Sequence, residues 1–160
     1  MSDNYDILCL RAQQEVDTFL PQLRNIIASK YGKPFLLEYR IKSLESLKRK
    51  QKLWKREYGN IPNIDSLPDI VGYRISVDDE TDCEVLSDII SQSLSPQSSI
   101  DYFHQPRETG FKAFLYYLQN TKVNSEVQIM SSKMRDWADE THDEHERTKY
   151  GVATPGHKKQ

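Results

Sequence analysis

One segment constrains the fold more than any other. Asp69-Ile70-Val71-Gly72-Tyr73-Arg74-Ile75-Ser76-Val77 is the strongest strand signal in the chain. It lies between a loop, Gly59–Pro68, and an acidic turn, Asp78-Asp79-Glu80. A strand needs pairing partners, and four more runs read as strands: Phe35–Ile41, Ser99–His104, Phe111–Gln119 and Val123–Met130. Helices separate the first of them. Apolar residues from Ile7 to Ile27 recur at helical spacing, with Pro21 predicting a kink or two abutting helices. Ser43 is placed to cap a helix that turns Leu44, Leu47 and Trp54 inward, and Cys83, Leu86, Ile89, Ile90 and Leu94 mark another. Ser131–Arg147 returns to helix, with Met134, Trp137 and Ala138 inward. The order predicts an α+β fold: a mixed sheet of about five strands flanked by helices, mainly on one face. The 160 residues suit one domain, 1–150, with a helical segment over 3–30 and a core over 31–150. The expected flexible tail is 151–160.

Charge is unevenly laid out. The chain carries a net charge of −2. Arg40–Arg56 holds eight basic side chains against Glu45 alone, a local +7, which leaves −9 for the remainder. The total excludes a basic nucleic-acid coat protein and an acidic tail protein, whereas the cationic island points to an anion. No apolar run approaches the ~18 residues of a membrane span. The N-terminus has acids where a secretory signal has cations, so a cytoplasmic protein with no membrane partner is expected. Cys9 and Cys83 have no metal-like spacing and read as reduced, structural residues.

Three clusters carry possible chemistry. In Arg40-Ile41-Lys42-Ser43-Leu44-Glu45-Ser46, Arg40 and Lys42 project to one side of a strand end, and a helix opening at Ser43 offers backbone N–H groups. Lys50 and the Ser46 hydroxyl lie one turn apart on that helix. Several cations around helix N-terminal donors suit a triphosphate; the alternative is a solvated basic face. Asp69 is either a turn residue or a hard oxygen ligand for Mg²⁺ beside phosphate oxygens. Glu126 and Gln128 share one face of a strand. Glu126 is either an exposed partner for a cross-strand Lys or, with Asp69, half of a two-carboxylate Mg²⁺ site that can also accept a proton. His142-Asp143 invites comparison with HD phosphohydrolases, and His142 with His145 could bind metal, but Glu140, Glu144 and Glu146 favour a solvated face. His104 reads as structural, and Tyr116 and Tyr117 as packing or lining the sheet.

Together and in order, RIKSLES at Arg40, DIVGYR at Asp69, RETGF near Gly110, EVQI at Glu126 and the Trp137…His142 helix resemble the synthetase domain of the RelA/SpoT family, the (p)ppGpp alarmone synthetases. The resemblance spans about residues 31–150. It implies a nucleotidyltransferase-like sheet that moves the β,γ-pyrophosphate of ATP to the 3′-hydroxyl of an acceptor nucleotide. Carried over, Arg40 and Arg74 would stack on adenine, and Lys42, Ser46, Lys48 and Lys50 would hold the ATP phosphates. Asp69 and Glu126 would bind Mg²⁺, with Glu126 as general base. Arg107, Phe111 and Gln128 would meet the acceptor. The match implies a small stand-alone synthetase, without the family's hydrolase half or regulatory domains.

The departures gather on the acceptor side. Where the family pattern reads N-G-Y-R-S-L-H, this chain has Thr109-Gly110-Phe111-Lys112-Ala113-Phe114-Leu115. Met130 replaces a basic residue and Arg135 an Asn. Stacking tolerates any base, whereas lost hydrogen bonds relax discrimination. The acceptor is therefore left open between GDP or GTP, an adenosine nucleotide and the tRNA 3′ end, the last two belonging to toxin-type relatives, and an antitoxin is left open as a partner. An inactive nucleotide- or RNA-binding module is the remaining alternative.

Overall fold

A computed structural model describes residues 2–119, 122–141 and 148–153. The elements run α1 (Ser2–Lys30), β1 (Leu36–Ile41), α2 (Leu44–Tyr58), a 3₁₀ turn (Ile64–Ser66), β2 (Val71–Val77), α3 (Glu80–Leu94), β3 (Ser98–Asp101), β4 (Phe114–Gln119), β5 (Asn124–Ser131), α4 (Ser132–Thr141) and β6 (Thr148–Ala153). The strands form one mixed sheet in the order β3-β4-β5-β2-β1-β6. Only β2 and β5 run parallel; the other neighbours are antiparallel. The expected α+β class holds, with one strand more than the five anticipated. That strand, β6, pairs with β1 and continues to Ala153, past the Gly151 start of the expected tail.

Period-two alternation divides the sheet into two unlike faces. Leu37, Val71, Tyr73, Ile75, Val127 and Ile129 meet Leu8, Ala12, Val16, Phe19, Leu23 and Ile27 of α1, together with Cys83, Leu86 and Ile90 of α3, in the main core. The Tyr116 hydroxyl bonds Ser87 of α3 on this side, and burial pushes the Cys83 thiol up to about 12. The opposite face carries Glu38, Arg40, Arg74, Tyr117, Glu126 and Gln128, which alternate with those core residues along the same strands. α4 crosses one end of it. There Ala113, Leu115 and Met130 make a second, smaller apolar cluster with Tyr102, Phe111, Tyr117 and Met134 against them. β2 is buried on both faces along its whole length.

Two local details are decided by the structure. Of the two arrangements expected at Pro21, a kink or two abutting helices, the second does not occur: α1 runs as one helix through Pro21. The Pro21 ring sits on the exposed side, so the carbonyl that loses its donor faces water, while the apolar row from Leu8 to Ile27 holds both halves on the sheet. β3 ends at Asp101 rather than His104, because Asp101 Oδ1 accepts from the backbone N–H groups of Phe103 (2.9 Å) and His104 (2.8 Å), turning the chain. His104 then pairs its ring with Asp101 Oδ2 at 2.7 Å, a structural role. Among the described residues no helix is long and apolar enough to cross a membrane. His142, Asp143 and His145 lie outside the described residues.

Proline in a helix interior costs about 3 kcal/mol relative to alanine, partly offset by its stiffening of the unfolded chain. Pro21→Ala is therefore expected to stabilise the protein by about 2 kcal/mol in urea unfolding; a loss of stability would show that α1 depends on the proline.

Candidate active site

The site is written across four strands in two rows. Register places Arg40 opposite Gly72, Gly72 beside Glu126, and Glu126 opposite Tyr117. Two residues along, Glu38, Arg74, Gln128 and Leu115 form a parallel row. Gly72 leaves a gap in the first row: nothing lies within 4 Å of where a Cβ would stand. From these rows Arg40, Arg74, Leu115, Tyr117, Glu126 and Gln128 floor a cavity of about 510 Å³. Its walls are α2, the turn before β2, the 102–111 loop and α4.

Capping sets the α2 wall. The Ser43 hydroxyl accepts from the Ser46 backbone N–H at 3.2 Å, which starts the helix immediately after β1. Lys42 is held just before it, its own N–H bonded to the Ile70 carbonyl (2.9 Å) and its carbonyl accepting from the Tyr5 hydroxyl (3.1 Å). From that start Ser46, Arg49, Lys50 and Leu53 fall on the cavity side. Lys48 does not. Two residues along a helix turn the side chain about 160° away from Lys50, and Lys48 lines a separate cavity with Asn4, Arg11, Gln51 and Asp65. The structure thus separates Lys48 from the other expected phosphate-binding residues, whereas its neighbour Arg49 lines the cavity. Arg49 donates to the Ser46 hydroxyl at 3.1 Å.

Asp69 sits in the turn leading into β2, its side chain only 10% exposed. Its Oδ2 accepts from Lys42 Nζ at 2.5 Å and Lys50 Nζ at 3.0 Å. Its Oδ1 is buried without a hydrogen-bond partner. Burial raises the Asp69 pKa, but the two ammonium groups outweigh it and hold the carboxyl below the usual range. Burial in turn lowers the pKa values of Lys42 and Arg40, against the pull of Asp69. Across the gap at Gly72, Glu126 accepts from Gln128 Nε2 at 2.8 Å and from the Tyr117 hydroxyl. Burial first, then the neighbouring Glu126 charge, drives the Tyr117 pKa up. Gln128, expected to contact an acceptor, is therefore engaged with Glu126. Tyr117, expected to pack or line the sheet, does line it and is also a donor to Glu126; the β4–β5 register that pairs them could not be read from either strand alone.

Arg74 is 1% exposed and its guanidinium is claimed by carboxylates on two elements. Glu38 Oε1 accepts from Nε (3.1 Å) and Nη2 (2.9 Å), and Asp139 of α4 accepts from Nη1 at 3.0 Å. Arg135 joins the group, its Nε 3.3 Å from the same Glu38 oxygen. On the far side of the cavity, Gly110 adopts φ +98°, a conformation glycine accepts readily, and a tight turn links Arg107 N–H to the Phe111 carbonyl at 3.1 Å. That turn sets the Arg107 guanidinium over the Tyr102 ring, 5.5 Å from its centroid, with Phe111 edge-on to the same ring. Of the residues expected at the site, Arg40, Lys42, Ser46, Lys50, Asp69, Arg74, Arg107, Phe111, Glu126 and Gln128 all line the one cavity.

A model of the region found in RelA/SpoT proteins matches residues 39–152. The chain belongs to the RelA/SpoT family. Comparison with curated proteins gives no match. Among solved structures it is similar to a GTP pyrophosphokinase family protein from Streptococcus pneumoniae, at 21% identity and TM-score 0.72, covering 89% of this chain and 77% of that one. It is similar to small alarmone synthetase 1 from Bacillus subtilis bound to its product pppGpp, at 21% identity and TM-score 0.68, covering 88% and 80%. Small alarmone synthetase 2 from the same organism gives 22% identity and TM-score 0.67, covering 85% and 77%. At these identities the likeness is one of fold.

Removing one member of a buried ion pair costs roughly 3–5 kcal/mol, since the other is left uncompensated. Arg74→Met is expected to destabilise by about that amount in urea unfolding, and adding Glu38→Gln together with Arg135→Gln, so that no member of the group is left buried and charged against Glu38, should recover at least half of the loss. No recovery in the triple variant would show that Arg74 is held by packing alone.

Proposed function

We propose that this chain is an ATP-dependent pyrophosphotransferase of the (p)ppGpp synthetase type, transferring the β,γ-pyrophosphate of ATP to the 3′-hydroxyl of a guanosine nucleotide. One observation carries the reading: Arg40 and Glu126, which flank the open position at Gly72, line one cavity with Asp69, Lys42 and Lys50. A polyphosphate entering that gap meets cations on one side and two carboxylates on the other. Lys42, Lys50, Arg49 and the Ser46 hydroxyl hold the phosphates near the N-terminus of α2, where the helix dipole also favours an anion. Arg40, on the outer end of its row, offers a flat cationic face to adenine. Arg74 beside it is fixed by Glu38 and Asp139, so its guanidinium keeps one orientation.

The donor set fits Mg²⁺. Asp69 Oδ1 is buried and unpartnered, and a buried carboxylate oxygen without a donor is costly unless something takes it up. Among the described residues no group of three His, Cys, Asp or Glu forms a complete cage, as suits an ion that takes its other ligands from phosphate and water. Asp69 and Glu126 would hold it, and when bound it would neutralise charge developing on the transferred phosphates. Glu126, oriented by Tyr117 and Gln128, accepts the proton of the attacking 3′-hydroxyl. Phe111 and Tyr102 offer rings to the acceptor base. The acceptor-side departures support a rebuilt pocket over a decayed one. Ala113, Leu115 and Met130 are packed against each other, and Arg135 is compensated by Glu38.

γ-Labelled ATP offered with GDP, GTP, ADP, ATP or tRNA tests the reading. Label is expected on GDP or GTP with release of AMP, reduced about 10²–10⁴-fold by Glu126→Gln. Label on tRNA alone, on adenosine nucleotides alone, or on no acceptor would overturn it. Gly72→Val should fold, because its added atoms enter open space and valine suits a strand, yet lose ATP binding at least tenfold. Unchanged ATP affinity in that variant would place the phosphates elsewhere.

A further inference from the structure

Resting on that reading, we propose that Asp69 makes nucleotide binding conditional on the metal, by holding Lys42 and Lys50 away from phosphate until a divalent cation takes over its charge. The two lysines best placed for a polyphosphate converge on a single carboxylate oxygen, at 2.5 and 3.0 Å. Lys42 and Asp69 are nearly buried, with side chains 13% and 10% exposed, and Lys50 is 33% exposed. Contacts of this kind are far less screened than surface pairs, and hydrogen bonds between charged groups are the stronger ones. A metal-free polyphosphate must compete with Asp69 for both lysines while it meets the Asp69 and Glu126 carboxylates directly. The geometry leaves one way to relieve this. Oδ2 is saturated by the lysines, but Oδ1 is buried and free. A divalent cation on Oδ1 shares the carboxylate's charge, weakens its hold on the lysines and cancels its repulsion of phosphate. Metal and nucleotide are then positively coupled through Asp69, and the coupling is reciprocal. Glu126 lacks this role, because its donors are Gln128 and Tyr117 rather than phosphate-facing cations.

The test is equilibrium binding of ATP, by calorimetry, in EDTA and in excess Mg²⁺, for the wild-type protein, Asp69→Asn, Glu126→Gln and Lys50→Gln. In the wild type Mg²⁺ should tighten ATP at least tenfold. Asp69→Asn should tighten ATP at least tenfold in EDTA, with less than threefold further gain from Mg²⁺. Glu126→Gln removes the same charge but frees no lysine, so its gain in EDTA should stay under threefold. Lys50→Gln should cost less than threefold in EDTA, where the lysine is tied down, and at least tenfold in Mg²⁺. Equal gains for Asp69→Asn and Glu126→Gln would reduce the effect to general charge, and no gain for Asp69→Asn would show that the lysines are not held back. Either result overturns the proposal while leaving ATP binding in place. Failure of all four folded proteins to bind ATP in either condition would instead remove the proposed function, and the coupling with it.

Discussion

A guanidinium in the middle of a sheet dictates what surrounds it. Arg74 lies on β2, which has a neighbour on each edge and packing on both faces, so its charge is withdrawn from water along the whole strand. Such a charge persists only when opposite charges and hydrogen bonds meet it. Glu38 must therefore stand directly across on β1, as the register has it, and α4 must bring Asp139 over the same face. Those two contacts align β1 with β2 and place α4. The placement of α4 closes one end of the cavity; the alignment of β1 puts Arg40 opposite Gly72. The geometry of the cavity is downstream of one buried ion-pair network.

The same strand shows why most of the fold was legible. Val71, Tyr73, Ile75 and Val77 alternate with Gly72, Arg74 and Ser76, so one run of sequence already records an apolar face and a polar one. Its β-branched and aromatic content marks it as strand, and the flanking turn residues bound it. Ser43 was equally legible, because a cap acts on its immediate neighbours. β6 was not. It follows residues outside the described set and pairs with β1 over a long sequence separation, and its sequence, with Gly151 and a nearby Pro155, carries turn residues rather than a strand pattern.

Inside the site the structure departs from the sequence reading at Lys48 and at Tyr117, for two different reasons. Lys48 and Arg49 differ by one position and are chemically alike, so composition cannot choose between them; only helix phase can. Counting from Ser46, the positions three, four and seven residues on are Arg49, Lys50 and Leu53, and these are the residues on the cavity. Lys48 falls outside that spacing, a signal present in the sequence but overridden by motif resemblance. Tyr117 is a different case. Its contact with Glu126 depends on the register of β4 against β5, which the packing of Leu115 and Met130 decides. No pattern within either strand reports that.

The charge arithmetic also takes on a physical meaning. A local +7 within a chain of net −2 would ordinarily describe a solvated basic helix. Here the island divides by depth. Lys42 and Lys50 are drawn inward by Asp69, whereas Arg49, bonded to Ser46, stays exposed with Lys52, Lys55 and Arg56. The inner members belong to a site in which like charges are kept close only by a shared carboxylate. Substituting Asp69 therefore does more than delete one negative charge, because it leaves Lys42, Lys50 and Arg40 facing one another with less to offset them. A polyphosphate is the kind of anion that can take the place of that carboxylate. The opposite side of the cavity is built on different terms. There Tyr102 and Phe111 stand against the Ala113–Leu115–Met130 cluster, with the Arg107 guanidinium over the Tyr102 ring. A ligand on the cationic side would be held by electrostatic, salt-sensitive contacts, whereas one on this side would depend on stacking and shape.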